Sequence, residues 1–175
     1  KRTAPQCPTA YLNARLLDPA SGLDAPGSLL VEGETITAVG RDLYRDGRSW
    51  RAPEDADAVD CKGLCLAPGL VDIRVFTGEP GDEHKETLLS AGRAAVAGGV
   101  TSMACLPNTT PVIDDMSVVE FIARRARKLG LSKAYAYGAV TKGAKGIELA
   151  EMGLLAEAGA LAFTDGFQAV TNARV

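Results

Sequence analysis

The feature that most constrains this chain is a regular alternation of apolar runs and amphipathic segments after Pro68-Gly69. The apolar runs predict β-strands, and the amphipathic segments between them predict helices. Alternation of this kind favours parallel strands joined by helical crossovers. The predicted strands are residues 70–76, 100–106, 134–140 and 160–164, and the predicted helices are residues 86–98, 116–129 and 147–158.

Residues 1–67 have a different pattern, typical of a small and mostly antiparallel β domain. Two β-rich runs flank Glu32-Gly33-Glu34, and a glycine between two such runs predicts a hairpin. Lys62-Gly63 predicts a second tight turn, and the polar stretch 41–57 predicts an exposed loop.

Two architectures are compatible with four strand–helix units. A doubly wound dinucleotide-binding sheet would place Gly-x-Gly-x-x-Gly after its first strand, and residues 75–81 do not contain it. A (β/α)8 barrel needs roughly 250 residues, so only about half of one would be present. We therefore predict an α/β chain in which a small β-rich domain at residues 1–67 precedes the first four β-α units of a (β/α)8 barrel at residues 68–175. Half a barrel leaves strand edges unpaired, so we expect the barrel to continue beyond this chain or a second copy to cover it.

Composition excludes several classes of function. The 19 basic and 22 acidic residues give a net charge of -3, which supplies no positive field for nucleic acid. No apolar run approaches the roughly 18 residues of a membrane span. The first ten residues also lack the apolar core of a signal peptide. We therefore predict a cytoplasmic protein that contacts neither nucleic acid nor membrane.

The side chains that most commonly bind transition metals are few. The four cysteines, Cys7, Cys61, Cys65 and Cys105, are too sparse for a disulfide scaffold, so we expect reduced structural thiols. Only Cys61 and Cys65 are close in sequence, and no second Cys or His pair follows to complete a zinc site. The single histidine, His84, lies just before the first predicted helix, and we expect it on the surface.

Six short motifs lie in and around the predicted strands: Ala67-Pro68-Gly69-Leu70-Val71-Asp72, residues 79–87, Ala97-Gly98-Gly99-Val100-Thr101, Pro107-Asn108-Thr109-Thr110-Pro111-Val112, Thr141-Lys142-Gly143 and Ala162-Phe163-Thr164-Asp165. In their joint order and spacing they resemble the start of the dihydroorotase barrel, in the amidohydrolase superfamily. The resemblance covers nearly the whole chain, including the β unit before the barrel.

The resemblance implies a zinc-dependent cyclic amidase whose ligand positions are altered in this chain. In that family the first barrel strand ends in His-x-His-x-Arg. The histidines bind zinc, the arginine pairs with the substrate carboxylate, and a metal-bound hydroxide attacks the ring amide. The matching residues here are Arg74, Phe76 and Gly78. Arginine has no lone pair for a metal, phenylalanine has no ligand atom, and glycine cannot replace a bidentate clamp. The resemblance thus implies degenerate metal and substrate positions, no catalytic residue and no zinc cofactor.

Two further residues match functional positions of the family. Asn108 matches a substrate-contacting asparagine after the second strand, although Asn-Thr-Thr-Pro is also ordinary turn chemistry. Asp165 matches a carboxylate metal ligand, and the alternative is a solvated aspartate at a strand end. A catalytic zinc typically takes three protein ligands, so Asp165 alone would be vestigial. Residues 142–146 lack the spacing of a phosphate loop, which favours a flexible barrel loop.

Three functions follow from this contrast between an intact scaffold and a missing site. The leading hypothesis is an inactive dihydroorotase-like protein of pyrimidine biosynthesis. By family resemblance it would support the assembly of aspartate carbamoyltransferase, in a homo- or hetero-oligomer. The alternative is an active metal-dependent dihydroorotase that takes its ligands from later strands. A third hypothesis is a small-molecule binder that retains Asn108 and uses Arg74 as a new anion contact.

Overall fold

The computed structural model describes residues 7–175, and the chain divides after Pro68 into two compact units. The first unit is built on a five-stranded sheet that includes β1 (Thr9–Asp18), which has neighbours on both edges. Burial alternates from residue to residue along β1, as expected for a strand with one face packed on a core. Its buried side chains are Ala10, Leu12, Ala14 and Leu16.

β2 (Leu23–Glu32) and β3 (Thr35–Arg41) form the predicted hairpin. β2 also pairs antiparallel with β1. Gly33 between the strands has a φ of +62°, a left-handed conformation that glycine adopts without strain. The polar stretch predicted as a loop contains a second short hairpin, of β4 (Arg45–Asp46) with β5 (Ser49–Trp50). The Arg45 guanidinium lies 5.7 Å from the centre of the Trp50 ring and stabilises that hairpin across its strands.

The last two strands of this unit differ from the antiparallel prediction. β6 (Asp57–Asp60) and β7 (Cys65–Leu66) both run parallel to β1. The turn at Lys62-Gly63 therefore joins two strands that do not pair with each other. β2 occupies one edge of β1, so the other edge receives both segments, and the Gly63 N–H donates to the Asn13 carbonyl there at 2.7 Å.

The second unit contains parallel strands with helical crossovers, as the alternation predicts. Its elements are β8 (Leu70–Val75), α1 (Leu88–Ala97), β9 (Val100–Cys105), α2 (Met116–Leu129), β10 (Lys133–Ala136) and α3 (Met152–Glu157). The strand order is β10-β9-β8, so strands that follow one another along the chain are neighbours in the sheet.

Capping residues explain the helix boundaries. The Asp115 carboxylate accepts from the Ser117 N–H at the start of α2, and Gly130 ends that helix with a φ of +63°. These two residues give α2 the predicted bounds. Thr87 and Ser90 form a reciprocal cap, which starts α1 slightly later than predicted. None of the helices within residues 7–175 combines the length and apolarity needed to cross a bilayer.

The end of the second unit departs from two predictions. The helix predicted at 147–158 is shortened to α3, because the residues before α3 fold back and the Ala150 N–H donates to the Val140 carbonyl at 2.9 Å. The strand predicted at 160–164 forms only an isolated parallel bridge between Gly138 and Phe163. Around this bridge the Leu161 N–H donates to the Ala136 carbonyl at 2.8 Å and the Gly138 N–H to the Ala162 carbonyl at 2.9 Å, so the segment runs beside the end of β10.

The core of the second unit lies between the sheet and its helices. Side chains of β9 and β10 are buried together with side chains of α1, α2 and α3. β8 differs, since Leu70, Val71 and Ile73 are 60%, 64% and 69% exposed. Parallel sheets are normally covered on both faces, and β8 lacks that cover over most of its length. The buried residues of this core include Leu88, Met103, Cys105, Ile113, Val119, Ile122, Ala134, Ala136 and Leu155.

One buried carboxylate fixes the loop after β8 to both long helices. Glu79 is only 5% exposed. Its Oε2 accepts from the Leu88 N–H at 2.8 Å, in the first turn of α1, and its Oε1 accepts from the Arg125 Nε–H of α2 at 2.9 Å. Arg125 belongs to a run of basic residues on α2, yet this ion pair holds it against the loop. Glu79 thus positions the end of β8 relative to α1 and α2.

Replacing Glu79 should destabilise the protein far more than replacing an exposed member of an ion pair. Glu79→Ala leaves the Leu88 N–H without its acceptor and the Arg125 guanidinium without its counter-ion. We expect it to lower the free energy of unfolding of the full-length protein by about 2–3 kcal/mol in urea titrations. Glu148→Ala, which breaks the exposed Lys142–Glu148 pair, is the matched control and should change stability little. Equal losses for the two variants would contradict the structural role of Glu79.

Candidate functional site

The loops at the carboxyl ends of the strands are hydrogen-bonded to one another. The Thr110 N–H, after β9, donates to the Pro80 carbonyl, after β8, at 2.9 Å. The Asp114 carboxylate accepts from the Gly143 N–H of the loop after β10 at 2.7 Å. The carboxyl edge of a parallel sheet is where α/β proteins place their sites, and here that edge is tied together by direct contacts.

Asp165 is buried at this edge and bonded on both carboxylate oxygens. It is 4% exposed. Oδ1 accepts from the Val140 and Thr141 N–H groups at 2.8 and 2.9 Å, and Oδ2 accepts from the Thr141 hydroxyl at 2.5 Å. The Thr141 Oγ1 also accepts from the Gly146 N–H at 2.8 Å. The interpretation of Asp165 as a solvated strand-end residue is therefore wrong, because the backbone after β10 folds over it. Its role as a vestigial metal ligand stays a prediction.

Asn108 contacts the same segment. Its Nδ2 donates to the Asp165 carbonyl at 3.0 Å. Its Oδ1 is buried with no hydrogen-bond partner among the residues described. Gly166 has a φ of +69°, and a Cβ there would lie 1.7 Å from that Oδ1, so a side chain at this position would displace the Asn108 amide. The structure brings Asn108 and Asp165 together, with the amide bracing the loop. Substrate contact by Asn108 stays a prediction.

The end of β8 carries an aromatic and cationic cluster formed by Arg74, Phe76 and Phe167. Arg74 lies in β8 and Phe76 directly follows the strand, and both lie against the Phe167 ring. The Phe76 and Phe167 ring centres are 6.0 Å apart with the planes inclined at 54°. The Arg74 Cζ lies 5.9 Å from the centre of the Phe167 ring. Sequence reasoning missed Phe167, and its position directly after Asp165-Gly166 at a predicted strand end was the signal that could have indicated it.

The backbone at Gly78 leaves no room for a side chain. Its φ is +65°, and a Cβ there would lie 2.7 Å from the Glu86 carbonyl oxygen and 2.8 Å from that of Asp82. Both neighbours are backbone atoms, which do not move aside as a flexible side chain does. The loop would have to change shape before an arginine could occupy this position. The difference from the family's carboxylate clamp is therefore one of backbone as well as side chain.

The residues present at the altered positions do not fit a zinc ion. Arg74 and Phe76 offer no lone pair to a metal. Within residues 7–175 there is no group of three His, Cys, Asp or Glu side chains able to hold a metal ion. At the end of β9, burial raises the pKa of the Cys105 thiol to about 12, and the Asp72 carboxylate adds to that rise. Cys105 is therefore a neutral thiol. His84 is exposed before α1, as predicted.

The loop predicted to be flexible at residues 142–146 is held by hydrogen bonds. It forms a short 3-10 turn, Lys142–Ala144, with Gly143 bonded to Asp114 and Gly146 to Thr141. The ion pair and hydrogen bond with Glu148 raise the pKa of Lys142, so its ammonium group stays charged. These contacts give the loop a defined conformation, and its flexibility stays a prediction. A cavity of about 430 Å³ lies beside the turn, lined by Asp114, Lys142, Gly143, Lys145, Ile147 and Glu148.

Comparison with known proteins identifies the family. Residues 63–175 match the family model described as Dihydro-orotase-like. The chain belongs to the dihydro-orotase-like family. Dihydroorotases from Pelobacter propionicus, Wolbachia of Brugia malayi and Geobacter sulfurreducens are 45%, 43% and 42% identical to it over 92–93% of its length. The chain spans 36–37% of the length of these relatives.

A solved structure confirms the predicted fold. L-hydantoinase (dihydropyrimidinase) from Arthrobacter aurescens superposes with a TM-score of 0.68 at 21% identity, covering 89% of this chain and 32% of the hydantoinase. At that identity the likeness concerns the fold alone. The dihydro-orotase-like chain therefore has the architecture of an amidohydrolase, with a small β unit followed by the first part of the barrel.

Removing the Asp165 carboxylate should weaken the fold without changing metal content. Asp165→Ala leaves the Val140 and Thr141 N–H groups unpaired. We expect it to lower the free energy of unfolding of the full-length protein by about 3 kcal/mol. Thr141→Val, which removes only the hydroxyl, should cost about 1 kcal/mol. Bound zinc per chain, measured by mass spectrometry, should be the same in both variants as in the parent. Unchanged stability in Asp165→Ala would contradict the structural role of this carboxylate.

Proposed function

We propose that the full-length protein is a dihydroorotase-like protein of pyrimidine biosynthesis whose zinc site is degenerate and which does not hydrolyse amides. The observation that carries this proposal is the Arg74–Phe76–Phe167 cluster. Arg74 and Phe76 in this cluster stand at the two positions where the family resemblance places metal-binding histidines. A zinc ion there would meet a guanidinium and two phenyl rings instead of two imidazoles.

The electrostatics of this position support the proposal. Arginine is protonated at any physiological pH, so the end of β8 carries a fixed positive charge where a dication would have to bind. The Gly78 backbone adds a second obstacle, because the position that would clamp the substrate carboxylate has no space for a side chain. Metal binding and substrate clamping are therefore both altered on the same strand and the loop after it.

The competing function is an active dihydroorotase that takes all its metal ligands from elsewhere in the full-length protein. The chain spans 37% of the length of the Pelobacter propionicus dihydroorotase. The test below therefore has to distinguish this function from the proposed one. It requires a metal site that bypasses Arg74 and Phe76. It also requires dihydroorotate turnover that a chelator abolishes.

We expect the full-length protein, purified without chelators, to contain almost no zinc and to turn over no dihydroorotate. The physical reason is the absence of lone-pair donors at Arg74 and Phe76. Zinc is measured by mass spectrometry against chain concentration, with the Pelobacter propionicus dihydroorotase treated in parallel. About one zinc per chain together with chelator-sensitive turnover would contradict the proposal and establish the active enzyme instead.

We further propose that the protein supports the assembly of aspartate carbamoyltransferase. This part of the proposal rests on the contrast between chemistry and scaffold. The buried carboxylates of Glu79 and Asp165 hold the loops in a defined arrangement, although the metal positions beside them are altered. A scaffold that keeps ordered loops without its metal ligands is suited to binding another protein. The family resemblance indicates aspartate carbamoyltransferase as that protein.

Mixing the full-length protein with aspartate carbamoyltransferase from the same organism should produce a larger species. Size-exclusion chromatography with light scattering measures the mass of each protein alone and of the mixture. The double variant Arg74→His with Phe76→His is the matched control and should assemble like the parent, because assembly does not use the metal positions. A carbamoyltransferase that has the same mass with and without this protein would refute the assembly role.

A further inference from the structure

The cavity beside the 3-10 turn after β10 contains two charged groups that the chain's own contacts leave available. Lys145 forms no ion pair within the described part of the chain. The Asp114 carboxylate uses Oδ2 to accept from the Gly143 N–H at 2.7 Å, and no donor among residues 7–175 bonds to its Oδ1. Both groups line the same cavity of about 430 Å³. One cation and one carboxylate oxygen are therefore open to a ligand there.

Gly143 brings these two groups to one place in the loop. Its N–H is bonded to Asp114, and a Cβ built on it would lie 3.2 Å from the Lys145 Cε and 3.5 Å from Cδ and Cγ. The aliphatic part of Lys145 therefore packs over this glycine. The φ of Gly143 is +62°, a conformation that other residues adopt only with strain. The available ammonium and carboxylate thus belong to residues that contact the same backbone position.

The charges around the cavity are balanced. Lys142 and Lys145 bring two ammonium groups to it, and Asp114 and Glu148 bring two carboxylates. Lys142 and Glu148 pair with each other, and the Lys142 N–H also donates to the Glu148 carbonyl at 2.8 Å. A simple anion would be repelled by the carboxylates, and a simple cation by the ammonium groups. A ligand that carries one charge of each sign can satisfy both available groups at once.

An exposed apolar side chain completes the lining. Ile147 is 75% exposed and lies in the cavity wall beside Glu148. An aliphatic group that covers it removes apolar surface from water, which favours binding. The ligand that matches all three features has an ammonium group, a carboxylate and an aliphatic side chain.

We propose that this cavity is a binding site for a free amino acid with an aliphatic side chain. Lys145 binds the carboxylate of the ligand, Asp114 binds its ammonium group through Oδ1, and Ile147 contacts its side chain. The loop conformation that forms the site is set by hydrogen bonds within the chain, so the ligand has less ordering to impose on it. This inference goes beyond the proposed function, since binding requires neither zinc nor the carbamoyltransferase.

The test titrates the full-length protein with three matched probes, followed by ligand-observed NMR and calorimetry. L-leucine carries both charges, 4-methylpentanoate is the same molecule without the ammonium group, and 3-methylbutylamine is the same molecule without the carboxylate. We expect L-leucine to bind with a dissociation constant on the order of 1 mM, and the other two probes to bind about tenfold more weakly. No saturation by L-leucine at about 10 mM, or equal binding of all three probes, would overturn the proposal.

Variants identify the residues responsible. Lys145→Gln and Asp114→Asn should each weaken L-leucine binding about tenfold. The amide oxygen of Asp114→Asn can still accept from the Gly143 N–H, so this variant removes the charge and keeps the loop contact. Lys133→Gln, at an exposed lysine of β10 that does not line the cavity, is the matched control and should have no effect.

Unfolding curves check that each variant is folded. Unchanged affinity in folded Lys145→Gln or folded Asp114→Asn would refute the site. An equal loss of affinity in Lys133→Gln would also refute it, because the effect would then come from net charge and not from the cavity. These results are independent of the zinc and assembly measurements, so this inference and the proposed function can fail separately.

Discussion

The arrangement of the carboxyl edge depends on the buried carboxylate of Asp165. A buried carboxylate without donors costs several kcal/mol, so the N–H groups and the hydroxyl that surround it have little freedom to leave. Thr141 supplies two of its three donors, and Asn108 braces the backbone of Asp165 itself. Glu79 plays a parallel role in the loop after β8, which it holds to α1 and α2. Hydrogen bonds made by these two carboxylates thus hold the described loops at this edge.

This arrangement separates the stability of the scaffold from its chemistry. The residues at the expected metal positions, Arg74 and Phe76, take no part in either carboxylate network. They can therefore differ from the family pattern while the loops keep their shape. In the proposed function, Arg74 places a fixed positive charge where the family resemblance implies a metal ion. Phe167 places an aromatic face against that guanidinium.

Features that depend on neighbouring residues were predictable from the sequence. The bounds of α2 follow from an aspartate and a glycine at its two ends, and the hairpin of β2 and β3 from the glycine between them. The strand–helix alternation predicted parallel strands in chain order, which the sheet confirms. Residues that meet across the fold were not predictable. β6 and β7 pair in parallel with the edge of β1 that β2 leaves free. No local sequence pattern indicates which edge of a sheet a strand will pair with.

The sequence by itself therefore determined the architecture and the identity of the residues at the expected metal positions. Periodicity, caps and ligand chemistry depend on residues that are close together in the chain. Only the tertiary structure decided what those residues contact. The ion pair of Glu79 with Arg125 and the contact of Phe167 with Arg74 join positions far apart along the chain. The burial of Asp165 is likewise a tertiary property, because it depends on the backbone of another segment folding over it. Contacts of this range follow from how strands and loops pack, which a local pattern does not encode.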